Sequence, residues 1–582
     1  MRTMRKCIPG SRQTSLLAAL LVTLSLGAPL FAQNAPLAER LSPNTIFYSQ
    51  WRGTAFLAGA DKKNHLLQLM EDPQMAPLWL FAANKLQESN SKQAGTGLKP
   101  TMLDIISLAA NSAVFGVSEN PDYPKTPPGK SGPSHVGVFF VYDAKGKSDL
   151  IQKFIALQKS TSKTQEAATH YEFEGTSVEV QATGDDKSYI AHTENFFMFA
   201  SEKAIMNDLI TRFHGDAKPA TSVTSLPEYK EVQKYMGPDA AVEFFGRVPD
   251  FKKWIPADPT NDAPMKIVQN LRLDKIRALG GGWSVSGEAT RFHGAVLGDT
   301  STGTLFDFIG ESKAGFVMQP LVGANPIFSF SRLDWVALYQ VILKAVEGNL
   351  TPQQAAGVGA AEGMAKGYLG MSVSDALSII SGEFASTYTF EDDGTTQQMF
   401  ALTIQKPNDV LRMLRAVIGT MIVAEDSSGD TTFLDLSYPY KDPASGTQRR
   451  KFYYVAVTPH VIVTAQRKKL VKDAVARMNS AAGAAPASGI FANPEYVQLR
   501  SALPEKLSGL SGSDLRQIPW DKILTDYFGQ IVEASKQSND ATPPDMSWLK
   551  LVKPEIISNH VHTALGGLWK DSNGIYFDSY LQ

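Results

Sequence analysis

Few side chains in this sequence are suited to catalysis or metal binding, and histidine is the first to consider. The chain has nine histidines, and the single close pair is His560 and His562. If this segment is a β-strand, both imidazoles lie on one face and approach one metal ion. A zinc site requires a third and a fourth ligand, and no histidine or carboxylate cluster supplies them. The pattern favours two polar residues on the exposed face of an edge strand.

Two serine–lysine spacings match the S-x-x-K pattern of penicillin-recognising serine enzymes. They run from Ser89 to Lys92 and from Ser160 to Lys163. Both lie in polar sequence that predicts loops, neither begins an apolar helix, and no K-T-G strand accompanies them. We therefore interpret both as chance matches. The sequence contains no G-x-S-x-G, H-E-x-x-H or Walker motif.

Glycines form two further patterns. Gly357, Gly359 and Gly363 lack the spacing and the preceding strand of a dinucleotide fingerprint, so this run predicts a helix rich in small residues. The runs at 280–282 and 566–567 precede strands and predict bulges or close backbone contacts. From these patterns we assign no catalytic, cofactor-binding or metal-binding residue, and we expect no cofactor.

The first 32 residues have the organisation of a cleavable export signal. A basic segment precedes the apolar run from Leu16 to Leu30, and a small residue stands at the expected cleavage site. The alternative is an uncleaved anchor, but the run is short and is interrupted by Gly27 and Pro29. Cleavage would remove Cys7, the only cysteine, and with it disulfides and thiol chemistry. We expect a periplasmic or extracellular protein with no transmembrane segment in the mature chain.

Composition indicates an ordinary globular protein. Hydrophobic residues make up 43% of the chain and aromatic residues 10%. The formal net charge is −2, and loss of the signal's four basic residues would bring it to about −6. The densest basic runs are 449–451 and 467–469, which are typical of solvated faces. An exported, acidic chain of this kind is not expected to bind nucleic acid.

The positions of apolar and polar residues repeat along the chain. Residues 188–213 and 453–478 share a strand–turn–strand–helix pattern at a constant offset of 265. Further landmarks recur in the same order, including the helix starts Leu226-Pro227-Glu228-Tyr229 and Asn493-Pro494-Glu495-Tyr496. The sequence therefore predicts two similar modules, 41–299 and 320–582. Short turns between strands favour an α+β fold in which each module is a mostly antiparallel, curved sheet with helices on one side.

This pattern resembles an uncharacterised family of exported bacterial proteins that is grouped as a domain of unknown function. The similarity covers most of the mature chain and includes the opening Leu41 to Phe47, the repeated unit at 188–213 and the helix start at Glu495. The resemblance implies export and an internally duplicated α+β module. It implies no catalytic residue, because none is known to transfer.

Function is the least constrained property. The apolar residues of one repeat recur in the other, but the polar residues that could take part in catalysis do not. This difference favours a non-enzymatic role. The leading hypothesis is an envelope protein that binds a protein partner or an apolar ligand through its sheet faces or a cleft between modules. The aromatic residues that support this hypothesis would serve equally well to fill the hydrophobic core under the helices. The alternatives are a periplasmic or secreted hydrolase with an unrecognised site and a structural component of an envelope complex. The sequence leaves the oligomeric state open.

Overall fold

The protein is seen in a computed structural model, and the predicted signal at 1–32 lies outside the residues that it describes. The described residues are 36–58, 62–92, 102–122, 136–161, 168–183, 186–214, 218–237, 239–248, 263–285, 287–300, 304–346, 352–380, 382–391, 394–441, 446–480, 489–525, 529, 553 and 555–582.

The fold is α+β, and the strands belong to a large antiparallel sheet. The chain divides into two compact units. Unit 1 comprises 1–249, 278–294 and 544–556, and unit 2 comprises 250–277, 295–543 and 557–582. The predicted fold class is confirmed at this coarse level.

The strands of unit 1 follow an antiparallel order in which β1 is flanked by β2 and β8. Its order is β10–β9–β8–β1–β2–β3–β7–β6–β5–β4, and the last residues of β10 belong to unit 2. The ranges are β1 Thr45–Trp51, β2 Ala113–Glu119, β3 Val136–Asp143, β4 Thr169–Phe173, β5 Thr176–Thr183, β6 Asp186–His192, β7 Phe196–Ala200, β8 Ala240–Arg247, β9 Ile276–Val285 and β10 Thr290–Gly298.

The helices of unit 1 cover apolar residues of these strands. The helix predicted to end near Phe213 buries Ile205, Met206, Leu209, Ile210 and Phe213 along one stripe. The helices are α1 Thr54–Ala58, α2 His65–Glu71, α3 Ala76–Lys92, α4 Met102–Ala109, α5 Ser148–Thr161, α6 Lys203–Phe213 and α7 Pro227–Gln233, with 3₁₀ turns at Leu37–Arg40, Pro73–Met75 and Val223–Ser225.

The main strands of unit 2 follow the antiparallel order β22–β21–β20–β12–β13–β14–β18–β17–β16–β15, and β11 pairs with β19 separately. The ranges are β11 Lys313–Ala314, β12 Ile327–Leu333, β13 Gly382–Phe390, β14 Thr396–Thr403, β15 Ile422–Ser428, β16 Thr431–Lys441, β17 Gln448–Val457, β18 Val461–Ala465, β19 Lys506–Leu507, β20 Gly509–Asp514, β21 Thr563–Asp571 and β22 Gly574–Leu581.

Unit 2 contains the helix predicted around Gly357 to Gly363, which begins at Pro352, a residue that is common in the first turn of a helix. Its helices are α8 Ala263–Asn270, α9 Trp335–Val346, α10 Pro352–Leu369, α11 Val373–Ile379, α12 Pro407–Ile418, α13 Lys468–Ser480, α14 Pro494–Ala502 and α15 Glu555–His560, with 3₁₀ turns at Leu273–Lys275, Leu305–Phe308, Gln319–Leu321, Gly419–Met421, Gly489–Ala492 and Leu515–Gln517.

One face of the unit 2 strands β16 and β17 is buried under α11 and α12. Helix α12 contributes Val410 and Leu411, and the strands contribute Leu434 and Val455 to the same buried cluster. Val410 and Leu411 thus lie against the sheet, whereas Val417, which i, i+4, i+7 spacing would place on the same face, is 61% exposed.

The glycine runs lie inside β9 and β21, so the prediction that they precede strands is wrong, but the predicted close approach of neighbouring atoms is confirmed. A Cβ added at Gly280 would lie 2.4 Å from Val232 Cγ1, and one added at Gly282 would lie 2.7 Å from Met236 O. A Cβ at Gly567 would lie 3.0 Å from two Leu503 side-chain atoms. A side chain at these positions would approach its neighbours too closely, so glycine is present for structural reasons.

Candidate functional site

The strand predicted for His560 and His562 is wrong. His560 is the last residue of α15, and His562 lies between that helix and β21. The Nδ1 atom of His562 lies 3.1 Å from Glu495 Oε1, and its Nε2 atom lies 3.2 Å from Asn559 O. Both ring nitrogens therefore face protein oxygen atoms. Within the described ranges, no group of three or more His, Cys, Asp or Glu residues could hold a metal ion.

Glu495, in the predicted helix start of α14, is the centre of this cluster. The hydroxyl of Thr563 donates to Glu495 Oε2 over 2.7 Å, and Arg516 Nη2 lies 3.7 Å from the same atom. Burial raises the pKa of Glu495, but the hydrogen bonds from Thr563 and His562 and the charge of Arg516 outweigh it and lower the pKa. Because the hydroxyl bonds the carboxylate and not the imidazole, the order of a catalytic triad is absent here. The cluster ties α14 to β21.

A second histidine, His192, lies near a serine hydroxyl. Ser148 Oγ is 3.4 Å from His192 Nε2, and Gln152 Nε2 is 3.4 Å from His192 Nδ1. An amide that donates to Nδ1 places the ring proton on Nε2, so the ring has no lone pair free for the serine proton. Burial lowers the pKa of His192. This contact lacks the carboxylate that orients a catalytic imidazole.

The S-x-x-K matches do not lie where the sequence predicted. The first, Ser89 to Lys92, forms the last turn of α3 and not a loop. The second begins in the last turn of α5, and Lys163 lies outside the described residues. Neither serine opens a helix, which is the position that this motif requires.

Unit 1 contains a buried carboxyl group in its core. The hydroxyl of Tyr48 donates to Glu243 Oε1 over 3.0 Å, and both residues are buried. The ring of Tyr229 packs edge-on against Phe245 beside them. Burial raises the pKa of Glu243 and of Tyr48. Because Tyr48 is fully buried, this pair has no exposure to substrate and belongs to the core.

A different kind of buried charge occurs in unit 2. Arg332 and Glu383 face each other on β12 and β13, with Arg332 Nη2 2.9 Å from Glu383 Oε1. Both side chains are less than one-tenth exposed. The guanidinium also donates to Lys313 O over 2.9 Å, and the Met318 amide donates to Glu383 Oε2 over 3.3 Å. The pair therefore fixes the segment that precedes β12.

Exposed apolar side chains are concentrated in one part of unit 2. We call helices α9 to α12, together with the described residues that adjoin them (335–346, 352–380 and 407–423), the helical layer. Helix α10 lies against α11 and α12, and α9 lies against α11. Of the eleven exposed large apolar residues in the described chain, six belong to the helical layer: Ile342, Met364, Tyr368, Val417, Met421 and Val423.

Helix α10 is the most exposed part of the helical layer. Met364 and Tyr368 are 61% and 73% exposed and lie one turn apart, so they share a face. A Cβ added at Gly363 or Gly367 would meet no atom within 4 Å. The predicted helix is therefore confirmed, but close packing does not explain its glycines. A concentration of exposed apolar side chains is typical of an interaction surface.

Comparison with known proteins adds little to this description. No protein-family model and no curated protein matches the chain. Two solved structures are similar to it, crystal forms I and III of TP0453, with TM-scores of 0.20 and 0.21 and identities of 6% and 10%. They cover 47% and 51% of this chain, and 81% and 90% of their own chains. At these TM-scores the likeness carries no argument.

Sequence reasoning missed the helical layer. It identified α10 only as a helix rich in small residues. The available signal was the presence of methionines at 364, 371, 413 and 421, because methionine is common on adaptable binding surfaces. Of these four, Met364 and Met421 are exposed, whereas Met371 and Met413 pack on the core. Among the described residues, no helix has both the length and the apolar character needed to span a bilayer.

Proposed function

We propose that this chain is a non-enzymatic, exported envelope protein that binds the apolar face of a partner protein through the helical layer. The observation that carries the proposal is the concentration of exposed apolar side chains there. Leaving them in water is unfavourable by about 25 cal/mol for each Å² that a partner would cover. A partner would remove that cost.

The exposure of these side chains favours a protein over a small ligand. A small ligand is usually enclosed, with most of its own surface buried in a pocket. Tyr368 and Met364 are more than half exposed, so they form an open surface. The inner side of the helical layer, including Met371 and Met413, packs on the core and would keep the surface in place. An apolar ligand is the alternative that the experiment below distinguishes.

The experiment removes the apolar side chains of α10 and measures binding of the partner. The full chain carrying Met364→Ser and Tyr368→Ser is compared with the wild type by cross-linked capture from the host's envelope extract. Burial of each side chain is worth about 1.5–3 kcal/mol, so we expect at least a hundredfold weaker capture of any protein that the wild type retains.

The matched control removes two equally exposed apolar side chains outside the helical layer. Leu80 and Val497 are 64% and 54% exposed. The variant with Leu80→Ser and Val497→Ser should capture the partner as the wild type does. Equal losses in both variants would contradict the proposal, as would a wild type that retains only a small apolar molecule.

We also infer that the chain consists of two tandem copies of one module, each a curved antiparallel sheet with helices on one side. The support is the strand order given above. Position by position, the order of unit 1 corresponds to that of unit 2, with β1 in the place of β12, β4 in the place of β15 and β8 in the place of β20. The modules would be 41–299 and 320–582.

Export and family membership are part of the same proposal. They are supported by the sequence pattern of residues 1–32 and by the landmarks from Leu41 onward. Among the described residues, no cluster of nucleophile, base and orienting acid supports the hydrolase alternative.

A further inference from the structure

The distal part of the hairpin formed by β16 and β17 combines basic and aromatic side chains. We call the two segments 437–441 and 448–452 the basic arm. Ten residue pairs join the two strands in an uninterrupted antiparallel register from Thr432–Val457 to Lys441–Gln448. The β17 side of the arm is exposed throughout. The arm therefore continues the sheet beyond the buried residues Leu434 and Val455.

Register assigns the side chains of the arm to two faces. Residues directly opposite each other in an antiparallel pair share a face. One face carries Tyr438 opposite Lys451 and Tyr440 opposite Arg449. The Lys451 ammonium lies 4.7 Å from the centre of the Tyr440 ring, and Tyr438 stacks on Tyr453 with ring centres 5.8 Å apart. Aromatic and cationic groups thus alternate on this face.

The other face also combines a cation with an aromatic ring. Phe452, which is 48% exposed, lies opposite Ser437, and Arg450 lies opposite Pro439. The Arg450 Nε atom donates to Ser437 Oγ over 2.7 Å, which holds the guanidinium beside the strand. Both faces of the arm therefore present a positive charge beside an aromatic side chain.

The two segments of the arm carry a net positive charge. Residues 437–441 and 448–452 contain four basic residues and no acidic residue, in a chain whose net charge is −2. Among the described residues, Lys441, Arg450 and Lys451 make no ion pair. A negatively charged partner would complement this arm.

We infer that the basic arm binds an anionic phospholipid surface. Tyrosine favours the interface between water and lipid, where its ring is buried and its hydroxyl remains hydrated, and phenylalanine inserts its ring on the lipid side of that interface. Lysine and arginine beside them attract anionic headgroups through their charge and extend their heads toward water. A soluble polyanion without aromatic or apolar groups, such as heparin, would use the cations but would gain nothing from Phe452. The inference is independent of the helical layer.

The test is sedimentation of the full chain with vesicles made of equal parts phosphatidylglycerol and phosphatidylcholine. We expect binding to these vesicles, weaker binding as salt is raised, and none to vesicles of phosphatidylcholine alone. Each cation near an anionic surface contributes about a fivefold change in affinity, so Lys441→Gln with Lys451→Gln should weaken binding about 25-fold. Arg450 is left in place because its hydrogen bond to Ser437 supports the hairpin.

Two further variants make the test specific. Arg412→Gln with Lys469→Gln removes the same charge from exposed helical positions and should bind as the wild type does. Phe452→Ser should weaken binding about tenfold if the ring enters the interface. The inference is overturned if the wild type fails to bind anionic vesicles or if the helical control loses binding equally. It is also overturned if heparin competes fully while Phe452→Ser has no effect.

Discussion

Replacing Arg332 by methionine should be among the most destabilising single changes in unit 2. Arg332 and Glu383 pair across adjacent strands at 2.9 Å and are both nearly inaccessible to water. The guanidinium also donates to three backbone oxygens, those of Lys313, Gly315 and Leu507. Arg332→Met would leave the Glu383 carboxylate buried with the Met318 amide as its remaining donor.

The size of the effect follows from which charge is left behind. Breaking a buried pair by removing one partner costs about 3–5 kcal/mol. Glu383→Gln is the milder change, because the Arg332 guanidinium keeps its three carbonyl acceptors and the new amide oxygen can still accept. For this variant we expect a loss of about 1–3 kcal/mol. The two variants should therefore differ in a fixed order, with Arg332→Met the less stable.

The assay combines urea unfolding with hydrogen exchange. Because Arg332 holds the segment 313–318, its amides should exchange faster in Arg332→Met, beyond the change in global stability. The control is Arg412→Met, which breaks an exposed pair with Asp409 at 3.0 Å and should cost less than about 1 kcal/mol. The reasoning is refuted if Arg332→Met costs no more than this control, or if Glu383→Gln is the more damaging change.

Two other changes test the buried carboxyl and the exposed helix. Burial raises the pKa of Glu243, so its contribution to stability is complete below the unfolded pKa of about 4.3 and is lost as the pH rises through the folded value. Glu243→Gln should therefore gain stability relative to the wild type as the pH rises from about 4 toward neutrality. A constant difference in urea unfolding across that range would contradict the argument. Gly363→Ala in α10 should stabilise the protein by about 1 kcal/mol, because the added methyl group meets open space; a thermal unfolding midpoint that does not rise would contradict it.

The sequence was sufficient where a periodic pattern coincided with a clear element boundary. The predicted hairpin and helix at 188–213 correspond to β6, β7 and α6, and those at 453–478 correspond to β17, β18 and α13. Apolar residues alternate along a strand that buries one face, and they recur at i, i+4 along a helix that buries one face. The spacing therefore indicates both the type of element and its buried side.

The sequence was insufficient where the outcome depends on tertiary contacts. The segment around His562 is too short to distinguish a strand from the end of a helix, and its contact with Glu495 joins residues 67 positions apart. The exposure of Met364 and Tyr368 depends on which neighbours cover α10, and no local pattern records that. The basic run at 449–451 gave no sign that register would place Lys451 over Tyr440.

The most direct test of the account is native mass spectrometry of the protein purified gently from its own envelope fraction. The account predicts that the wild type carries additional polypeptide mass that denaturation releases. It also predicts that the variant with Met364→Ser and Tyr368→Ser is recovered without that mass. A wild type of bare mass, or one that carries only a small molecule, would contradict the claim that the helical layer binds a partner protein.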